Sequence, residues 1–430
     1  MNQDCPDWLK DYPEWLKETV ACVNWSKHFG NIWPRAMGYP PEPEREEYLN
    51  TIDFDNLVKI ASSLRDGISC EISSEYLGMY NLVYHLRFAD DMQWVARIPI
   101  PFRQFTATDL IIERDIQNRL FISMITGQTF AKEKKGVFAP SIYASFPGAD
   151  NPVGVPFLFM QRITGWRLDE VIGHMTEPDL RAVFSDLARE MISLASPPYF
   201  LQIGSIVQNG DRYEVGPLLM QTPYDEADNE ITNRGPFNSV EEYLLSTLNR
   251  HQSYALEIGN QDLYILSNRF RVLVPFFIDE RYNSGPFILS PFDWESRDIF
   301  VADDNAICGV LDWDFAKIGP LQSFFRYPPF MTKDWINGTK SKSMDNYRRL
   351  FRECIDELQD ESEFPLLDLL EQSRWFQMLD EGIQNPEMGK HSLPILEAYV
   401  AAAKNKKIEV KPIPVIKALP VLKDVGGGKS

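Results

Sequence analysis

The chain has 430 residues, 44% apolar and 24% charged, with a formal net charge of −19. That is length for two lobes around a sizeable core. The acidic balance argues against a nucleic-acid partner, which would need a basic surface, but it leaves room for an anionic ligand met by a local cation. The five cysteines, Cys5, Cys22, Cys70, Cys308 and Cys354, form no C-x-x-C pair, so neither a disulfide scaffold nor a structural zinc site is expected. The charged N-terminus "MNQDCPDWLKDYPEWLKE" lacks the apolar core of a secretory signal. No run approaches the roughly 20 apolar residues of a membrane span. The expectation is a soluble cytoplasmic protein with no membrane partner.

In chain order, residues 1–69 read as an N-terminal helical arm whose Pro-rich part is "PRAMGYPPEPEREE". "YNLVYHLRF" alternates, with Tyr80, Leu82, Tyr84, Leu86 and Phe88 on one face and Asn81, His85 and Arg87 on the other. That is a period-two strand. After the turn "ADDM", "QWVARIPI" returns as a second strand with Trp94, Ala96 and Ile98 on one side and Arg97 on the other. "TDLIIERDIQNRLFISMI" predicts a helix with Thr108 as N-cap and Ile112, Ile116 and Leu120 at i+4 spacing. Glu113 lies on or beside that apolar face, where a carboxylate needs a partner. "VPFLFMQRITGWRLDEVI" reads as a buried strand, a turn at Gly165 and a helix start. From about residue 175 the pattern is mostly helical, as in "PLLDLLEQSRWFQMLDEGI". Residues 406–430, with prolines and a terminal glycine run, read as an unpacked tail.

The chemistry concentrates in "LSPFDWESRDIFVADDNAICGVLDWDFAKIGP". "DIFV" reads as a strand, "ADDN" as its turn, with Asp303 and Asp304 as ordinary turn residues, and "AICGVL" as the return. Asp298 and Asp312 then mark the two open ends of one hairpin, directly opposed and close enough to share a cation. Oxygen ligands of this kind suit Mg²⁺, which is held by one or two carboxylates together with substrate phosphates. Asp293 stands five residues before Asp298, where it could orient or deprotonate a hydroxyl. Asp314 reads equally well as a solvated or capping carboxylate and as part of the site. Gly78 reads as a turn or as a phosphate cradle, and Arg97 as a surface residue or as a ligand cation. None of the five histidines pairs as a metal ligand, and no G-x-S-x-G elbow is present.

"LSPFDWESRDIFV" followed by "GVLDWDFAKIGP" resembles the catalytic loop and metal-binding segment of the aminoglycoside phosphotransferase and choline-kinase-like family, in a fungal-type form. "GSIV" and "GPFNSVEEYL" also look like segments of fungal members. The resemblance implies an α+β, bilobal, protein-kinase-like fold. Residues 70–160 would form the N-lobe, an antiparallel sheet with one helix. Residues 161–405 would form the larger helical C-lobe. It implies ATP and Mg as cofactors, Asp293 as catalytic base, and Asp312 with Asp298 as metal ligands. Arg97, paired with Glu113, would contact the phosphates, with Gly78, Asn81 and Met160 beside the nucleotide and the chain crossing between lobes near Phe159–Arg162. Three features depart from the family pattern. Pro291 replaces the loop histidine, Asp298 replaces its asparagine, and the large Trp294 is expected to narrow the acceptor site. The expectation is a small-molecule phosphotransferase. The alternatives are a catalytically degenerate binding protein and a kinase-fold enzyme turned to other biosynthetic chemistry.

Overall fold

The structure is a computed structural model describing residues 47–78, 81–100, 109–219, 234–257, 259–291, 294–333 and 341–406. Its first part is a five-stranded antiparallel sheet built from β1 (Cys70–Leu77), β2 (Asn81–Phe88), β3 (Gln93–Pro99), β4 (Ile142–Phe146) and β5 (Phe157–Gln161). The spatial order is β1-β2-β3-β5-β4. The period-two pattern read from β2 and β3 decides how this sheet is covered. Leu82, Tyr84, Leu86, Phe88, Trp94, Ala96, Ile98, Phe157 and Phe159 pack on the outer face in one core. Val83, Val95, Leu158 and Met160 face inward and join the main core.

Residues 47–69 were expected within an arm, but helix α1 (Phe54–Ser63) closes the outer face. Asp53 caps it by accepting from the Asn56 amide, and Leu57 and Ala61 are fully buried against the sheet. The Tyr48 hydroxyl also donates to Pro99 O at 2.9 Å. The remaining arm residues, 1–46, and the tail beyond 406 lie outside the described residues.

Helix α2 (Asp109–Lys135) runs ten residues past the "TDLIIERDIQNRLFISMI" reading. Its second half buries Phe130 and Ala131, and Gly127 lets it lie directly on Ile206, Leu289 and Ala316. The expected N-cap, Thr108, is outside the described residues. After β5 the chain forms the short strand β6 (Trp166–Arg167) and helix α3 (Glu177–Leu194), then an unexpected hairpin, β7 (Ser205–Asn209) and β8 (Arg212–Gly216). Helices α4 (Val240–Glu257) and α5 (Gln261–Leu273) precede four short strands: β9 (Phe287–Ser290), β10 (Ile299–Val301), β11 (Ile307–Val310) and β12 (Lys317–Pro320). Helices α6 (Lys342–Glu357), α7 (Leu366–Gln384) and α8 (Pro386–Lys406) complete the helical lobe. An antiparallel sheet carrying one long helix, followed by a larger helical region, is the bilobal α+β organisation expected from the sequence. Among the described residues no helix is long and apolar enough to cross a membrane, and Cys70, Cys308 and Cys354 are free thiols.

Candidate active site

Two antiparallel ladders fix the acidic segments. β10 pairs with β11 through Ile299↔Val310, and β12 pairs with β9 through Lys317↔Ser290. The connection from β9 to β10 and the connection from β11 to β12 are therefore held together at both ends. The second connection is residues 311–316, which contains Asp312 and Asp314.

The hairpin exists as expected, but its register corrects one detail. The Leu311 amide donates to Asp298 O at 2.7 Å, so Asp298 stands opposite Leu311 and Asp312 is one residue further on. The turn centres on Asp304, with Ala302 bonded to Ala306 and Val301 paired with Ile307, one residue before the expected centre, and a bulge at Cys308, after which Phe300 pairs with Gly309, recovers only half of that offset. Asp312 then leaves the strand with φ 60°, and Phe315 has φ 57°. Left-handed backbone at non-glycine residues costs on the order of 1 kcal/mol each and persists only where surrounding contacts impose it. Here Trp313, fully buried between them, donates its indole N–H to Val310 O at 3.0 Å.

On the opposite wall, β2 and β3 pair in a register that sets Val83 against Arg97. Asn81, two residues before Val83, is therefore Arg97's diagonal neighbour on the inner face of the sheet. Both converge on one atom from the helical lobe. Asp314 Oδ2 accepts from Arg97 Nη2 at 2.5 Å and from Asn81 Nδ2 at 2.9 Å. The Arg97 and Asp314 side chains are only 10% and 18% exposed. Arg97 thus has Asp314 as a partner, which the sequence reading did not anticipate. Glu113 falls within α2, and its side chain is outside the described residues. Asp314 is therefore a partly exposed carboxylate paired across the two lobes.

The other expected residues are placed as follows. Gly78 closes the β1–β2 turn, its amide donating to Asn81 O at 2.9 Å, and an added Cβ would meet that oxygen at 3.0 Å. Met160 is buried on the inner face of β5, paired with Val95. Trp294 corrects the expectation that it narrows an acceptor site. It is 5% exposed and packs edge-on against Trp313 and Phe324. Asp293 lies outside the described residues. Asp303 accepts from the Trp166 indole at 3.1 Å and Asp304 caps the hairpin turn by accepting from Ala306 N, as turn residues do.

Asp298 and Asp312 carry hard carboxylate oxygens on the two strands at one hairpin end, one residue out of register, and Arg297 Nε stands 3.6 Å from Asp298 Oδ2. Among the described residues no group of three or more histidine, cysteine or carboxylate side chains forms a self-sufficient metal site. Two carboxylates without a full protein cage fit Mg²⁺, which takes its remaining ligands from water and phosphate, and do not fit zinc.

Sequence reasoning missed a second ionic cluster, because its members lie far apart in the chain. Lys317 donates to the Tyr243 hydroxyl at 2.7 Å. That hydroxyl donates to Asp380 Oδ1 at 3.2 Å, and Ser323 donates to Asp380 Oδ2 at 2.8 Å. Burial lowers the Lys317 pKa, with Asp380 acting against it.

No family model matches the chain. It is 27% identical over 233 residues to a protein of Lodderomyces elongisporus named altered inheritance of mitochondria protein 9, mitochondrial. That alignment covers 48% of this chain, which spans about a third (35%) of the relative's length. Among solved structures, the chain is similar to a gentamicin complex of APH(2")-IIa, with TM-score 0.44, 13% identity, 80% of this chain and 95% of that one. It is also similar to the Brachybacterium faecium macrolide 2'-phosphotransferase, with TM-score 0.38, 15% identity, and 80% and 97% covered. A third is the Plasmodium vivax ethanolamine kinase, with TM-score 0.38, 15% identity, and 77% and 82% covered.

Proposed function

We propose that this protein is an ATP- and Mg²⁺-dependent phosphotransferase acting on a hydroxyl of a small molecule, on a protein-kinase-like fold. The observation that carries the reading is the bond from Asp314 to Arg97 and Asn81. It fastens an acidic segment of the helical lobe beneath the cationic inner face of the sheet, the juxtaposition that phosphoryl transfer needs. Arg97 and Asn81 would hold phosphate oxygens, with Gly78 and Met160 beside the nucleotide. Asp312 and Asp298 would hold Mg²⁺, which when bound neutralises phosphate charge. Asp293 would take the proton of the acceptor hydroxyl as its oxygen bonds to the terminal phosphorus, the bond to the bridging oxygen breaks, and ADP departs.

Thermal denaturation with ATP, with and without Mg²⁺, tests the first half. A metal-dependent rise in Tm supports the reading, and no response to nucleotide counts against it. A metabolite panel scored for Mg²⁺-dependent ADP release tests the second half. Asp293→Ala should abolish release while leaving nucleotide affinity nearly unchanged. A binding protein without chemistry is the second reading, favoured by Pro291 in place of the loop histidine. It is the correct one if nucleotide binds and no acceptor yields ADP.

A further inference from the structure

The geometry points to Asp314 as an internal occupant of the phosphate-binding donors, a carboxylate that holds Arg97 and Asn81 until a nucleotide phosphate displaces it. The inference rests on the phosphate-binding reading of Arg97 and adds a competitor built into the chain.

Four observations support it. The two donors come from adjacent strands and are brought onto one face by the Val83↔Arg97 register. Both end on the same oxygen, Asp314 Oδ2, at 2.5 and 2.9 Å. Guanidinium recognises carboxylate and phosphate through the same planar N–H geometry, so the carboxylate sits where a phosphate oxygen would. Asp314 also belongs to a segment whose shape local preference does not set, since both Asp312 and Phe315 are left-handed. The contacts of residues 312–315 hold that shape, and the bond to Arg97 is one of them. An approaching polyphosphate meets a cation already neutralised by a carboxylate, so binding requires exchange. Its apparent affinity is reduced by the fraction of protein in which Arg97 is engaged.

The experiment is calorimetric titration of the full chain with ATP, and separately with inorganic tripolyphosphate, each with Mg²⁺ and with EDTA. Wild type is compared with Asp314→Asn and with Asp314→Ala, their folding checked by circular dichroism. Removing the competing charge should tighten binding of both ligands about tenfold, most clearly in EDTA. Binding that is unchanged or weaker in both folded variants overturns the inference while leaving the nucleotide reading standing. Such a result would make Asp314 a residue that positions Arg97. If neither wild type nor variants bind ATP or tripolyphosphate, the phosphate role of Arg97 falls, and the inference falls with it.

Discussion

Two carboxylate clusters in this molecule look alike on paper and differ in what surrounds them. Asp314 accepts from Arg97 and Asn81, 217 and 233 residues away across the two lobes. Asp380 accepts from Tyr243 and Ser323 wholly within the helical lobe, and the Tyr243 hydroxyl in turn accepts from Lys317. Water still reaches the first cluster, with side chains 10% and 18% exposed. The second is built around Tyr243, which has no exposure. Asp380 is itself 7% exposed and Lys317 half-buried, so the contrast lies in reach: a bond across two lobes can exchange partners, whereas a cluster inside one lobe is part of the fold. On the proposed function, the first would serve ligand binding and the second stability.

Breaking the enclosed cluster should have the largest effect. Asp380→Ala leaves the Lys317–Tyr243 pair and the Ser323 hydroxyl without their acceptor, and should lower unfolding free energy by about 3 kcal/mol. Urea denaturation measures this. Asp380→Leu combined with Lys317→Met should recover much of the loss, because removing both charges is cheaper than stranding one. A single variant as stable as wild type would mean that the cluster holds nothing together.

The next effect tests the link between sheet and hairpin. Residues 162–165 leave β5 and pack on β10–β11. The Cys308 thiol donates to Thr164 O at 3.3 Å. A Cβ at Gly309 would stand 2.6 and 2.8 Å from the Cγ2 and Cγ1 of Ile163. Those atoms lie next to the backbone of a stiff side chain and have little freedom to withdraw. Gly309→Ala should destabilise by about 2 kcal/mol. Adding Ile163→Ala should restore part of it, since the added methyl then has room. Equal stability of Gly309→Ala and wild type would show that the linker is not seated on the hairpin.

A smaller effect depends on pH. Glu190 of α3 is buried and accepts from the Phe138 amide at 2.9 Å, and Phe138 O accepts from Val310 N at the end of β11. Burial pushes the Glu190 carboxyl up to about 7, opposed by the Phe138 N–H. The folded protein therefore holds a proton that the unfolded chain releases above about 4.5. Stability contributed by this group is present at low pH and declines as pH rises toward 7, with a limiting slope of about 1.4 kcal/mol per unit. Glu190→Gln has no such proton to lose. Between pH 5 and pH 7, within the window from about 4.5 to about 7, it should gain on wild type by about 1 kcal/mol or more. Parallel stability profiles would rule out the buried carboxyl.

What the sequence disclosed follows from the range over which its signals act. Alternation in β2 and β3 placed Asn81 and Arg97 on one face and Trp94, Ala96 and Ile98 on the other, because period two is a property of the strand itself. The β10–β11 hairpin was legible from its turn chemistry, but its turn centres one residue earlier than expected and the Cys308 bulge offsets only part of that, details that leave no local mark. The partner of Arg97 was not legible at all. The resemblance pointed to Glu113, whose side chain lies outside the described residues, whereas Asp314 was not sought, and a pairing across 217 residues has no signature in spacing. Trp294 was misjudged for the same reason, since its burial depends on Phe324 and Trp313. The D-W-D spacing did carry a hint: two carboxylates flanking a buried indole need two positive partners, and only one was sought.

The smallest stability effect is the sharpest test of the comparison. Asp314→Asn removes a full charge from beside Arg97, just as Asp380→Ala removes one from the Lys317 cluster. If partial burial alone governed the outcome, both should cost several kcal/mol. Asparagine retains a carbonyl oxygen that can accept from Arg97 Nη2 or Asn81 Nδ2, and water already reaches the guanidinium. The loss should therefore be about 1 kcal/mol in the ligand-free protein, read as a change in urea midpoint at constant m-value. A loss matching that of Asp380→Ala would make the cross-lobe bond a structural element, and the contrast between the two clusters would disappear.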